Sequence, residues 1–342
     1  MLAKLVRAYV NWREKSNSKR VHFDPAFGDP KALALQDKVA SGDWKAARDA
    51  LRAAGKDWER RSTLLALLTE PPAVDGWLAE WVKKEPNHPD AVLTHGATLI
   101  VWAWDARTAS YAEHVRADQW QSFGERLKQA KKVMDRALSV CPEDPSVWCE
   151  MMSLAIGTHE DFDTIKKYFK RAVAIDPWNA GAHSRMLQAS CAKWYGSSEV
   201  MWKFARSVTS APDCPPTFQS LLAQAHLEEL FDRFRKAGSS DGEKIESEYW
   251  GDSAVRKEIM EAYKVFSTAH PQRTTNAEFY AGNHFAFALY SIGAYGKAVK
   301  EFELLDYRVT QFAPWGYFGF PASRFLRTKE VAEEKFKAAT SG

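Results

Sequence analysis

AKKVMDRALSVCPEDPSVW, residues 130–148, is echoed 35 residues later by IKKYFKRAVAIDPWNAGAH, residues 165–183. Ala137 and Pro142 recur as Ala172 and Pro177, and Met134 is matched by Phe169. Where two helices cross closely, one contact has to be small and its neighbour large, and a proline marks the end of a helix because it lacks the N–H that would continue it. This period, with these residues, predicts helix–turn–helix units stacked side by side. The expected fold is all-α: a right-handed array of about 14 helices in hairpins, an α-solenoid that is irregular in parts.

The same grammar appears twice more. Gly42, Trp44, Ala47 and Leu51 place a glycine at an interhelix turn, then an aromatic, then a small residue. Gly293, Tyr295, Ala298 and Phe302 repeat that spacing. Across 56–129 and 197–278 the period is lost. The residues that keep it, in 28–55, 130–180 and 279–312, resemble degenerate tetratricopeptide repeats. Ala130, Met134, Ala137 and Pro142 fall on that family's positions, as do Phe162, Phe169, Ala172 and Pro177, with Trp148 close to its tryptophan. The resemblance implies a helical scaffold that binds a peptide or a partner protein in a concave groove.

Over most of its length the chain also resembles a bacterial family of unknown function. The residues that carry this are SGDW (41–44), Trp81 with NHPDA (87–91), DARTASYAEHV (105–115), Phe123, Leu127, Ala130, Trp148 and KWYGSSE (193–199). This second resemblance implies a tetratricopeptide-like fold in a bacterial, cytoplasmic protein, and no particular activity.

Composition sets the bounds. The chain has 342 residues, 45% apolar and 27% charged, as in soluble globular proteins. A formal net charge of +3 argues against a nucleic-acid partner. Within 1–20, Lys4, Arg7, Arg13, Lys15, Lys19 and Arg20 stand against Glu14 alone, and Leu2, Leu5, Val6, Tyr9 and Val10 fall at helical spacing. That stretch is read as a basic amphipathic helix and linker, and 21–342 as one helical domain. Cys141, Cys149, Cys191 and Cys214 form no C-x-x-C pair, which fits reduced thiols in the cytoplasm. No apolar stretch with a small-residue cleavage site opens the chain, so no signal peptide is expected. The longest apolar stretch, His95–Trp104, is too short to span a bilayer, so no stable membrane insertion is expected.

Trp104, Arg107, Tyr111 and His114 fall at i, i+3, i+7 and i+10 of one helix, on one face, with Asp105 and Glu113 beside it. Two readings stand. Arg107 grips a carboxylate or phosphate in a polar-aromatic pocket, or it ties this helix to its neighbours. KWYGSS offers Trp194 as a further contact, and Ser197 or Ser198 as a helix cap or anion-binding turn. The nine histidines show no H-E-x-x-H or H-x₃-H spacing, and no metal or cofactor is expected. No G-x-S-x-G and no catalytic cysteine context appears, so no catalytic residue is assigned. The aromatic tail, about 307–325, is expected to fold back as a C-terminal cap, with an interface as the second reading.

The expected function is therefore non-catalytic binding of a protein or peptide. One alternative is an enzyme acting on a small molecule or peptide in a pocket among helices 90–125 and 190–235. Another is an immunity or regulatory factor for a bacterial effector.

Overall fold

A computed structural model of the chain describes residues 14–69, 71–107, 115–238, 241–310 and 312–341. These residues form an all-helical structure. No strand occurs among them, and the single β-type contact is an isolated parallel bridge between His22 and Arg308. No helix among them is long and apolar enough to cross a membrane.

The chain packs as two compact units. One takes Asp29–Ser190 with Trp194–Gly196. The other takes Cys191–Lys193 and the chain from Ser197 onward, together with the stretch ending at Gly28.

The first unit runs α1 (Pro30–Ala40), α2 (Trp44–Ala54), α3 (Trp58–Leu68), α4 (Trp77–Lys84), α5 (Pro89–Arg107), α6 (Ala117–Val140), α7 (Pro145–Gly157), α8 (Phe162–Ile175) and α9 (Ala180–Ala189). Short acidic or amide residues start most of these helices. Asp29, Asp43, Asp57, Asp144, Asp161 and Asn179 each accept a hydrogen bond from a backbone N–H of the first turn, which has no partner inside the helix. The doubled phrase is the end of one helix and the start of the next. Ala137 and Ala172 are both fully buried where α6 and α8 pack against α7 and α9. Pro142 and Pro177 lie just past the ends of α6 and α8, and Asp144 and Asn179 then cap α7 and α9.

α5 and α6 approach closely at Gly96, where an added Cβ would oblige the Met134 side chain to move. A Cβ there would lie 2.4 Å from the Sδ of Met134. Arg61 on α3 joins three segments of this unit. It donates to both Asp90 and Asp144 at 2.6 Å, and to the Leu51 carbonyl at 2.9 Å. Burial alone would pull the Arg61 pKa down, but the two carboxylates outweigh it and hold the value above the ordinary one.

The second unit runs α10 (Ser198–Thr209), α11 (Ser220–Ala237), α12 (Gly242–Gly251), α13 (Ser253–Ala269), α14 (Asn276–Ser291), α15 (Tyr295–Leu305) and α16 (Pro321–Thr340). α14 is buried on nearly every face, from Phe279 through Leu289. It turns into α15 at Gly293, whose φ of +74° lies in the left-handed region open to glycine; Gly42, between α1 and α2, has φ +97°. Arg273 and Glu301 form an ion pair with no exposed side-chain surface, joined by the Tyr263 hydroxyl at 3.0 Å. The aromatic tail enters the core through Trp315, which packs on Phe287, Phe302 and Phe325 at 5.2–5.9 Å and donates to Asn283 Oδ1 at 2.7 Å.

Candidate functional site

The α5 face singled out by its spacing brings Trp104 and Arg107 together with Trp194. The Arg107 guanidinium carbon lies 5.6 Å from the Trp104 ring centre, 5.3 Å from Trp120 and 5.6 Å from Trp194. Trp104 meets Trp194 edge-on at 5.9 Å, and both Trp104 and Trp120 pack edge-on against Phe123. Each arrangement places the positive edge of one ring near the negative face of another, and a cation over such faces is held by the ring quadrupoles. Arg107 is 8% exposed, and burial pulls its pKa below the ordinary arginine value. All three tryptophans keep part of their surface in solvent.

Two of the residues on that face, Tyr111 and His114, lie outside the described residues. Trp120 belongs to the next helix, α6, so the spacing along α5 does not reveal it. Ser197 takes the role of a cap: its hydroxyl accepts from the Val200 N–H at 3.2 Å at the start of α10. Gly196 is explained by a close approach, since a Cβ there would lie 1.9 Å from the Ser190 carbonyl oxygen.

The second unit holds a polar cluster that no motif or spacing in the sequence marks. Lys193 reaches Glu228 on α11 at 2.7 and 2.9 Å and the Tyr317 hydroxyl at 3.1 Å. Tyr317 in turn donates to Glu228. Burial, then the Glu228 charge, pushes the Tyr317 pKa well above its usual value, and the buried Cys191 thiol rises for the same two reasons. Nearby, His284 on α14 is 1% exposed, and its Nδ1 donates to the Tyr280 carbonyl at 3.0 Å. Its Nε2 is buried with no hydrogen-bond partner among the described residues, and burial lowers its pKa to about 4. For His284 one signal was present in the sequence. Tyr280 and His284 are polar residues four apart on a mostly apolar helix.

A second polar cluster, around the buried His226, sits on the same unit. His226 meets Tyr249 through Nδ1 at 2.8 Å and Glu258 through Nε2 at 3.0 Å, while Arg206 grips Glu258 at 3.0 and 3.1 Å. The His226 contact, and then Arg206, lower the Glu258 pKa to about 2 against the opposing effect of burial.

Burial raises the thiol pKa of Cys141 and Cys149 to about 12 and that of Cys214 to about 11. At neutral pH these sulfurs stay protonated and poorly nucleophilic. Among the described residues no three His, Cys, Asp or Glu side chains gather as metal ligands. The recess beside Arg61, lined by Leu51, Leu65, Asp90, Leu93, Thr94 and Ser146, is too tight to admit a water molecule. Comparison with family models and with curated proteins returned no match.

Proposed function

We propose that this chain is a non-catalytic binding protein, an irregular right-handed α-solenoid of tetratricopeptide-like hairpins that engages a protein or peptide in the cytoplasm. The observation that supports the reading is the convergence of Trp104, Trp120 and Trp194 on Arg107, with each ring still partly exposed. Rigid aromatic side chains with one face packed and one face wet contribute large contact area at low entropic cost, which is why tryptophan and arginine dominate binding hot spots. Arg107 holds the rings in place, and their open faces meet the partner.

A displayed random-peptide library tests this. Peptides selected on the folded protein lose at least about tenfold in affinity to Trp120→Ala and Trp194→Ala if these rings carry the contact. A library that yields no binder, or binders indifferent to both substitutions while the variants keep their helical circular dichroism, overturns the reading.

A further inference from the structure

A second surface, on the other unit and independent of the tryptophan cluster, has a different chemistry. Residues 14–18 are helical and are tied to the start of α16. Glu14 accepts from the Ala322 and Ser323 N–H groups at 2.9 and 3.0 Å, and Asn17 donates to Ser323 Oγ at 2.9 Å. Phe320 occupies the cap position of α16 but has no side-chain acceptor to offer, so Glu14 supplies the cap instead. Farther on, His22 exchanges backbone hydrogen bonds with Tyr307 and Val309. The stretch 14–22 therefore runs beside both ends of the aromatic tail.

That neighbourhood exposes aromatic rings. Phe312 is 79% exposed, more than any other large apolar side chain described, and Phe320 and Tyr307 are 43% and 37% exposed. The Phe312 turn is held firmly from below. Gly316 N–H donates to the Phe312 carbonyl at 2.7 Å, Thr310 donates to the Ala313 carbonyl at 2.8 Å, and Trp315 is fully buried. On the stretch tied to both ends of this tail, Lys15, Lys19 and Arg20 are all exposed. Other charges nearby are largely neutralised: Arg308 pairs with Asp306, and Lys329, over the Tyr307 ring, pairs with Glu333. In sequence the basic character continues toward the chain start with Lys4, Arg7 and Arg13.

We propose that this surface docks peripherally on an anionic lipid bilayer. Single rings standing out of a surface find no pocket to fill in water, but a fluid headgroup interface takes them without a complementary shape. Exposed Lys and Arg on the adjoining stretch 14–22 meet the negative potential of anionic lipid. Two weak signals, apolar and electrostatic, together give stable attachment where one gives only marginal binding. Nothing spans the membrane in this arrangement, consistent with the absence of a spanning helix among the described residues.

Co-sedimentation of the full chain with vesicles tests the proposal. Vesicles of phosphatidylcholine plus phosphatidylserine bind it, and pure phosphatidylcholine binds it at least about tenfold less. Phe312→Ser with Phe320→Ser lowers binding about tenfold. Lys15→Gln, Lys19→Gln and Arg20→Gln lower it about fivefold each, and high salt does the same. Both variant sets keep the wild-type thermal midpoint. Equal partition to the two vesicle types overturns the proposal, as do phenylalanine variants that bind like the parent. Binding of polyglutamate or RNA to the same basic residues, without dependence on Phe312 or Phe320, also overturns it in favour of a macromolecular anion.

Discussion

Glu228 accepts hydrogen bonds from the Lys193 ammonium and the Tyr317 hydroxyl at the same time, so one carboxylate on α11 holds both the 191–193 segment and the aromatic tail. The Glu228 side chain is 3% exposed and Lys193 26% exposed, so the carboxylate has far less access to water than its partner. Removing the cation is then worse than removing the pair. Lys193→Met costs about 3 kcal/mol because it removes a cation held at 2.7 Å from a carboxylate with little access to water, whereas Lys193→Met combined with Glu228→Leu recovers most of that loss. Urea unfolding of the three proteins measures both. A Lys193→Met variant as stable as the parent removes Glu228 as the tie.

His284 makes stability depend on pH. Its folded pKa is about 4, below the ordinary value of 6.5. The unfolded chain therefore binds a proton at pH values where the folded one refuses it. The contribution is fully present above about pH 6.5 and is lost as pH falls from there through 4, amounting to about 3 kcal/mol. His284→Gln flattens that part of the profile. Denaturation midpoints from pH 7 to pH 4 show it, and an unchanged slope in the variant assigns the loss to other groups.

Glu258 acts in a lower window. Its folded pKa of about 2 lies below the ordinary 4.5, so its contribution is present above about pH 4.5 and is lost as pH falls through 2. The side chain is 26% exposed, which screens the effect to about 2 kcal/mol. Glu258→Gln is therefore less stable than the parent at pH 6, and the gap closes below pH 4.5. A gap that persists unchanged at pH 3 shows that the Arg206 and His226 contacts are not charge-dependent.

What was legible in the sequence was local. Ala137, Ala172, Gly42 and Gly293 reveal crossings and turns because the constraint on each falls within one hairpin. Trp104 and Arg107 share a helix face, so their meeting follows from helical geometry alone. Trp120 and Trp194 reach the same cation from other elements, and no periodicity predicts that. The Lys193, Glu228 and Tyr317 cluster joins residues up to 124 positions apart, and Glu14 caps a helix 308 positions away. Such pairings depend on how whole elements pack. A single sequence shows their parts, a lysine before a tryptophan or a tyrosine in an aromatic tail, without showing that they meet.

Two helical glycines separate packing from propensity. Gly124 in α6 has open space where a Cβ would stand, so Gly124→Ala stabilises the protein by about 0.5–1 kcal/mol through reduced freedom of the unfolded chain. Gly282 in α14 faces the opposite constraint. A Cβ there would lie 2.6 Å from Glu301 Oε1 and 3.0 Å from Leu305 Cδ2. Glu301 has no slack to give, because Arg273 holds both its oxygens at 2.6 and 2.8 Å and Tyr263 donates to it as well. Gly282→Ala forces α14 and α15 apart and strains a buried ion pair, at a cost of about 3 kcal/mol or more. Thermal unfolding of the two variants gives shifts of opposite sign. If Gly282→Ala unfolds at the parent's temperature, the approach of α14 to α15 is looser than the Arg273–Glu301 geometry requires.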